Sequence, residues 1–226
     1  PSKKKFKIRK ILKKIDNFKI NKNLINFINW FSAYNLVSRG MVLKMCLGDR
    51  KNATKIEEYK KEKIRNKSKF ILNKDQKKSL EDLKKFSNKF NVSLLQGVTG
   101  SGKTIVYFER VKEILSLGKQ VLILLPEIFL TNQFKERFLQ FFGFLPAIWH
   151  SKVGIKNKRK IWQSVVNGNL NLVIGARSSL LLPFKNLGLI VLDEEHDPSY
   201  KQDEGIIYHA RDMAISRASF ENIPIH

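Results

Sequence analysis

Residues 92 to 104 read "VSLLQGVTGSGKT". A run of apolar residues of strand length leads into a glycine-rich loop, and residues 97 to 104 match the pattern G-x-x-x-x-G-K-[ST] at every position. Glycines let a backbone wrap closely around a phosphate, and the loop N–H groups and the following helix N-terminus attract its negative charge. Lys103 is placed to reach the β- and γ-phosphates of a nucleotide, and the Thr104 hydroxyl to bind Mg²⁺. The stretch therefore predicts a strand, a phosphate-binding loop and a helix.

The chain that follows the loop alternates between apolar runs of strand length and helical stretches. Continuous Val, Ile and Leu runs of this kind are typical of a parallel sheet that is covered on both faces, so the fold class is α/β. Asn73 with Gln76 forms a capping-box pattern that opens a helix before the loop, and Gly118 is placed to end the helix after it. The predicted strands are 92–96, 120–125, 145–149, 170–175 and 187–193, and the predicted helices are 102–117, 127–142, 156–167 and 208–220.

A cluster of acidic residues follows the last of these strands, in "LGLIVLDEEHDPSYKQDE" at 187 to 204. We expect this strand to lie beside the phosphate-loop strand, so that Asp193 holds Mg²⁺ through water. Glu194 would then orient the water that attacks the γ-phosphate or accept its proton. The cluster's other carboxylates belong either to the site or to a solvated loop, and the sequence does not choose between these for Glu195, Asp197, Asp203 and Glu204.

Charge and composition limit the remaining possibilities. The 226 residues carry a net charge of +23. Residues 1 to 70 account for +16 of it, with 21 Lys or Arg against 5 Asp or Glu. That excess suits contact with a phosphate backbone, although a general compositional bias explains it equally well.

The single cysteine, Cys46, excludes an internal disulfide framework and indicates a reducing compartment. The apolar runs are too short to span a bilayer, so we expect a cytoplasmic protein.

The chain divides into three parts by pattern. Residues 1–48 show helical spacing of apolar residues from Leu24 to Leu36 and again after Gly40, which we expect to separate two helices. Residues 49–69 are charged and nearly devoid of apolar residues, as in a linker. Residues 70–226 contain the strand and helix alternation. Pro1 is not an initiator Met, and "IPIH" at the end reads as the beginning of a strand, so we expect a part of a longer polypeptide.

The phosphate loop together with "DEEH" resembles the helicases and translocases of superfamily 2. The stretches "LLQGVTGSGKT", "LLPEIFLTNQF", "VIGARSSLLLPFKNLGLIVLDEEHDPSYKQDEG" and "YHARDMA" resemble the PriA family of replication-restart helicases. The similarity covers nearly all of residues 71 to 226, and it reaches back to "FINWFSAYNLVSRGMVLKMCL", which is similar to the end of that family's N-terminal DNA-binding domain.

The resemblance implies roles for individual residues. Gln76 would lie on the adenine side of ATP. Tyr200, Tyr208 and His209 would offer faces for base stacking, and the alternative for each tyrosine is packing in the core. ATP would be bound by Gln76, Gly97, Val98, Thr99, Gly100, Ser101, Gly102, Lys103 and Thr104. Lys103 and Glu194 would be catalytic, and Thr104 and Asp193 would hold Mg²⁺. His196 would couple phosphate sensing to movement, and the loop that contains Tyr200, Tyr208 and Arg211 would link DNA to hydrolysis. DNA would be contacted by Pro126, Thr131, Arg177 and Ser178.

The resemblance also implies a fold and an activity. The fold would be a RecA-like first motor lobe, preceded by part of a DNA-binding domain. The activity would be that of an ATP-dependent 3′–5′ DNA helicase of replication restart that uses ATP and Mg²⁺ on forked and single-stranded DNA. Its partners would be other primosome proteins and single-stranded DNA-binding protein.

The family's winged-helix domain, zinc-binding cysteine region and second motor lobe have no counterpart in these residues, so zinc is expected only outside them and unwinding by these residues alone is not expected. Two alternatives stay open: another superfamily 2 translocase, such as a restriction-enzyme motor, and a non-catalytic fragment that binds DNA or nucleotide.

Overall fold

A computed structural model describes residues 19–48, 70–85, 89–98 and 100–226 of the chain. The predicted linker 49–69, the predicted site residue Thr99 and the basic residues near the start of the chain lie outside the described residues. The helices are α1 Lys22–Tyr34, α2 Arg39–Leu47, α3 Lys74–Lys84, α4 Lys103–Ser116, α5 Asn132–Phe142, α6 Ile155–Asn167 and α7 Ala210–Glu221. The strands are β1 Asn91–Val92, β2 Gln120–Leu124, β3 Ala147–Trp149, β4 Leu172–Gly175, β5 Leu187–Leu192, β6 Lys201–Gln202, β7 Tyr208–His209 and β8 Pro224–Ile225.

Six of these strands form one parallel sheet in the order β1-β8-β5-β2-β4-β3, while β6 and β7 pair as a separate antiparallel ribbon. The prediction that the acidic strand β5 lies directly beside β1 is wrong, because β8 pairs with both of them. Val92 is in register with Ile225, which is also in register with Ile190. Neighbouring strands lie about 4.8 Å apart. The phosphate loop and the acidic cluster are therefore separated by roughly two strand spacings, about 10 Å.

Helices cover both faces of the sheet, as shown by the alternating side chains of β2. Leu122 and Leu124 belong to a buried cluster with residues of α1, α2, α6 and α7. Val121 and Ile123 point to the opposite face and belong to a second cluster with residues of α4 and α5. The chain is therefore α/β and RecA-like, with helices on both faces of a parallel sheet, as predicted.

The local helix signals in the sequence are largely confirmed. The Asn73 side chain accepts from the Gln76 N–H, and the Gln76 side chain accepts from the Asn73 N–H, which is the predicted capping box. Gly118 follows the end of α4 with φ of 72°. The predicted helix 127–142 is divided, because the Thr131 hydroxyl accepts from the Phe134 N–H and begins α5 anew. Among the described residues, no helix is both long and apolar enough to cross a membrane.

The two N-terminal helices pack onto the sheet's α7 side. Leu24, Phe27 and Phe31 are fully buried in the cluster that also contains Ala214 and Ala218 of α7. The Trp162 indole N–H donates to the Cys46 carbonyl at 2.8 Å. Thus α1 and α2 share one hydrophobic core with the rest of the lobe. Gly40 does not separate them, since it lies inside α2; the chain turns at 35 to 38, and the Ser38 hydroxyl accepts from the Met41 N–H to begin α2.

Candidate active site

The glycine-rich loop leaves the carboxyl edge of the sheet after β1. Gly100 and Gly102 have φ of 82° and 85°, in the left-handed region where a side chain is disfavoured. A Cβ atom on Gly97 would lie 2.7 Å from the Ser101 hydroxyl oxygen. The Ser101 N–H donates to the Val98 carbonyl at 3.1 Å, which turns the loop back on itself. The loop therefore needs glycine at these positions for its own shape, independently of any ligand.

Lys103 is the first residue of α4 and lies against the same loop. Its Nζ donates to the Gly97 carbonyl oxygen at 2.6 Å. The ammonium group is therefore on the loop, next to the helix N-terminus whose partial positive charge also attracts anions. Thr104 follows in the first turn of α4. A loop with two left-handed glycines, a lysine over it and a helix behind it suits a phosphate group.

Gln76 contacts the phosphate loop from α3. Its Nε2 donates to the Ser101 carbonyl at 2.9 Å, while its Oε1 accepts from the Asn73 N–H at 3.0 Å. A Cβ atom on Gly102 would lie 2.5 Å from the same Nε2, so glycine at 102 leaves room for the Gln76 amide. Gln76 thus connects the start of α3 to the loop, which places it at one end of the site.

Asp193 directly follows β5 at the same edge of the sheet. Its Oδ2 accepts from the Tyr107 hydroxyl at 2.7 Å, and its Oδ1 accepts from the Glu194 N–H at 3.1 Å. Burial, and next the charge of Asp193, raises the pKa of the Tyr107 phenol well above its ordinary value. The phenol therefore stays protonated and donates to the carboxylate. Sequence reasoning missed Tyr107; its position three and four residues after Thr104 and Lys103 is the signal that could have found it.

Glu194 adopts an unusual backbone conformation beside Asp193. Its φ is 51°, in the left-handed region, which costs a residue with a Cβ about 1 kcal/mol or more and is concentrated at functional sites. Its carboxylate is about one-third exposed, and Oε2 lies 3.7 Å from His196 Nε2. The carboxylate therefore faces solvent at the sheet edge, where a water molecule can reach it.

A cleft of about 500 Å³ joins these groups. Its apolar wall comes from the segment after β1 and from the ends of β5 and β8. Its polar lining includes Lys103, Tyr107, Asp193, Glu194, His196 and Arg211. Side chains from the loop and from the acidic cluster therefore face one space although β8 separates their strands. Hydroxyl and carboxylate oxygens are the ligands that Mg²⁺ prefers, so Thr104 and Asp193 fit the predicted metal.

Tyr200 and Tyr208 do not present stacking faces. Tyr200 is 1% exposed, and its hydroxyl lies 2.7 Å from the Asp193 carbonyl oxygen and 3.1 Å from that of Leu124. Tyr208 is 4% exposed, and its ring meets Phe31 edge to face at 5.3 Å. The predicted base stacking is wrong for both rings in this conformation, because each packs in the core. Tyr200 instead binds the loop after the acidic cluster to the ends of β5 and β2.

The rest of the acidic cluster is mostly engaged with nearby groups. Glu195 Oε2 lies 3.2 Å from Arg211 Nη1, and the hydrogen bonds to Glu195 and Asp212 raise the pKa of the arginine. Asp197 accepts from the Ser199 N–H at 2.8 Å. Asp203 lies 3.0 Å from Lys201 Nζ. These carboxylates therefore shape the loop and hold Arg211 at the cleft.

A sequence model of the family described as DEAD/DEAH box helicase matches residues 73–222, which is more than half of the chain. The chain belongs to the DEAD/DEAH box helicase family. The matched range contains the phosphate loop, the acidic cluster and Gln76.

Several relatives carry the name Replication restart protein PriA. The one from Rickettsia conorii is 45% identical over 223 residues, which cover 97% of this chain and 34% of the relative. The one from Haemophilus influenzae is 46% identical over 158 residues, which cover 70% of this chain and 22% of the relative. The one from Bacillus subtilis is 44% identical over 139 residues, which cover 62% of this chain and 17% of the relative. The resemblance to PriA is confirmed, and the chain spans about a third or less of the length of these relatives.

Two solved structures also resemble the helicase lobe. RecG bound to a three-way DNA junction matches 89% of this chain and 29% of its own, at 22% identity and a TM-score of 0.48. The T4 protein UvsW matches 90% of this chain and 39% of its own, at 16% identity and a TM-score of 0.46. The assignment of the fold therefore rests on the helicase lobe's own sheet order and packing.

The residues expected to contact DNA lie after β2 and β4. Thr131 is exposed and caps α5, and the exposed Ser178 accepts from the Trp149 indole N–H at 3.2 Å. Arg177 donates to the Lys201 carbonyl, so it also binds the loop of Tyr200. Pro126 is buried, and its carbonyl accepts from the Phe129 N–H at 2.9 Å. Pro126 therefore shapes the short 3-10 helix Glu127–Phe129 instead of offering a side chain to DNA.

Proposed function

We propose that this chain is the ATP-binding motor lobe of a DNA helicase that acts in replication restart, moving 3′ to 5′ on DNA. The observation that carries the proposal is the meeting of Lys103 with Asp193 and Glu194 in one cleft at the carboxyl edge of a parallel sheet. Ligands of open α/β sheets bind at that edge. The PriA names of relatives with more than 40% identity support the role in replication restart.

Groups that line the cleft, together with Gln76 and Thr104 beside the phosphate loop, have parts in hydrolysis. The loop N–H groups and Lys103 neutralise the β- and γ-phosphates, and Gln76 lies at the adenine end. Thr104 and Asp193 hold Mg²⁺, which when bound offsets phosphate charge. Glu194 orients water and accepts its proton, since its carboxylate faces the cleft from the end of β5. No covalent chemistry is asked of the protein, so positioning and charge carry the reaction.

Coupling to DNA would pass through the loop after the acidic cluster. Arg177 and Tyr200 both bind this loop or its ends, and Arg211 binds Glu195 beside Glu194. His196 lies close enough to Glu194 to respond to a shift of its carboxylate. A displacement of the loop by DNA would therefore move the end of β5, where Asp193 and Glu194 stand.

The charge of the lobe suits a nucleic acid. Residues 137 to 192 contain no Asp or Glu and eight Lys or Arg. Lys152 and Lys156 of this stretch are exposed on the loop after β3 and on α6, and Arg177 lies after β4. Glu127, the nearby acid, has its carboxylate bound by the Ser151 N–H and hydroxyl at 3.3 and 3.0 Å. A phosphate backbone along these strand ends would meet mainly positive charge, with Glu127 as the nearby negative group.

The larger context is part of the same proposal. Residues 1–48 would belong to a DNA-binding domain and 49–69 to a linker, although α1 and α2 pack on the lobe at residues 70–226. The whole protein would act in the cytoplasm on forked and single-stranded DNA, with primosome proteins and single-stranded DNA-binding protein as partners.

A hydrolysis assay tests the proposal. In a natural polypeptide that contains this chain, ATP hydrolysis should require Mg²⁺ and rise with single-stranded DNA. The 226-residue chain alone should hydrolyse ATP barely, because a charge donated across the cleft is worth about 10³- to 10⁵-fold in related reactions. Absence of ATP hydrolysis in the longer polypeptide, with and without single-stranded DNA, would support a non-catalytic role instead. Robust strand separation by the 226 residues alone would contradict the account of the fragment.

A further inference from the structure

The side chain of Tyr107 links the phosphate loop's helix to the acidic cluster. Tyr107 is 4% exposed and stands on α4, three residues after Thr104 and four after Lys103. Residues at these spacings share one helix face. Its hydroxyl donates to Asp193 Oδ2 at 2.7 Å. One buried hydroxyl thus connects α4, the helix that carries Thr104, to the carboxylate of Asp193.

The phosphate loop and Asp193 do not follow neighbouring strands, because β8 lies between β1 and β5. The helix after the loop, α4, packs against β5 and β2. From this helix the Tyr107 side chain contacts Asp193 at the end of β5. Its ring is fixed by Phe108, whose ring meets it edge to face at 5.1 Å. The phenol therefore has little freedom to leave the carboxylate.

The bond to Tyr107 also completes the orientation of Asp193. The Glu194 N–H donates to Asp193 Oδ1, and the Asp193 backbone N–H donates to the Leu124 carbonyl at 3.0 Å. With Oδ2 held by the phenol, each carboxylate oxygen has one protein donor and keeps further lone pairs for water or metal. Such outer partners fix the direction of a metal-binding carboxylate and commonly change metal affinity when they are removed.

We propose that Tyr107 is a positioning residue of the Mg²⁺–nucleotide site, which holds the Asp193 carboxylate at a fixed place relative to Thr104. This rests on the proposed function of the cleft. Tyr107 does not touch the nucleotide in this account. It acts through Asp193, so its removal changes the binding of Mg²⁺ more than the binding of the nucleotide's phosphates to the loop.

The test is a Mg²⁺ titration of the 226-residue chain at a fixed concentration of a fluorescent ATP analogue, with nucleotide binding in EDTA measured separately. Tyr107→Phe keeps the ring and removes only the hydroxyl. We expect the Mg²⁺ midpoint to rise about 10- to 100-fold, the range for lost outer partners of a metal site. Binding in EDTA should change less than about twofold, because the loop contacts are intact. Tyr34→Phe on α1, with an exposed hydroxyl far along the chain from the site, is the control and should change neither quantity.

Three other outcomes are distinguishable. An unchanged Mg²⁺ midpoint in Tyr107→Phe would overturn the proposal. Equal losses of binding with and without Mg²⁺, together with a lower melting temperature of the free protein, would also overturn it and assign Tyr107 to packing alone. Failure of the wild-type chain to bind the analogue at all would overturn the proposed function itself, and this inference with it.

Discussion

The Tyr200 hydroxyl lies 2.7 Å from the carbonyl oxygen of Asp193 and 3.1 Å from that of Leu124. Leu124 ends β2 and Asp193 follows β5, so one phenol binds the carboxyl ends of two central strands. Because Tyr200 is 1% exposed, it stabilises the site from inside the core and does not offer its ring to DNA bases.

Removing this hydroxyl should destabilise the protein. Tyr200→Phe keeps the ring but leaves the buried Asp193 carbonyl without the phenol, which costs about 1 to 3 kcal/mol. Tyr208→Phe is the matched control, since among the described residues its buried hydroxyl has no hydrogen-bond partner. Urea unfolding of the chain should show a lower free energy of unfolding for Tyr200→Phe only. Equal losses in the two variants would mean that the Tyr200 hydrogen bond contributes nothing specific.

Glu194 should be needed for turnover and not for binding. In a polypeptide that contains this chain and hydrolyses ATP, Glu194→Gln should lower the rate about 10²-fold or more, the scale of a lost general base. Nucleotide affinity should persist, because the amide keeps the shape of the carboxylate. Glu204→Gln changes an exposed acid of the same cluster and should leave the rate unchanged. Normal hydrolysis by Glu194→Gln would exclude this residue as the base.

Lys152 and Lys156 should contribute to the salt dependence of DNA binding. Replacing both with Gln removes two of the proposed phosphate contacts, and each contributes about 0.7 to the slope of log affinity against log salt for single strands. We expect the slope of the chain's binding to a single-stranded oligonucleotide to decrease by about 1.4. Lys84 and Lys85, at the end of α3 and directly after it, provide the control pair. The charge of Lys84 already faces an acid, since its Nζ lies 3.8 Å from Glu113 Oε2 near the end of α4. Equal effects of the two pairs would indicate general attraction by a basic protein.

Cys46 should report the packing of α2 on the lobe. It is 1% exposed, and burial, only partly offset by the charge of Arg217, raises the pKa of its thiol to about 11. Since the thiolate is the reactive form, modification by a thiol reagent at pH 8 should be slow in the native chain and fast in denaturant. The thiol pKa is thus higher in the folded chain than in the unfolded chain, where it is about 9. This difference favours the folded state in full at pH values below about 9. This contribution to stability is therefore lost as the pH rises from about 9 towards 11. Rapid modification of the native chain would contradict the packing.

The sequence predicted those features that depend on neighbours in the chain. The capping box of Asn73 and Gln76, the glycine loop from Gly97 to Thr104 and the position of Asp193 after a strand are all local patterns. The order of the strands is not, because the pairing of Ile225 with both Val92 and Ile190 depends on where α7 returns the chain to the sheet. The burial of Tyr200 and the contact between Tyr107 and Asp193 also depend on residues far apart in sequence.

Binding of an ATP analogue to the 226-residue chain, followed by fluorescence in the presence of Mg²⁺, tests the central claim most directly. Lys103 lies on the loop at 2.6 Å from the Gly97 carbonyl and supplies the positive charge for the phosphates. Lys103→Ala should weaken binding about tenfold or more, because a charged hydrogen bond to phosphate contributes roughly 1.5 to 3 kcal/mol. Lys112→Ala, further along the same helix and 3.6 Å from Glu109, should bind as the wild type does. Equal affinity of the Lys103→Ala and Lys112→Ala variants would show that this loop is not the phosphate site.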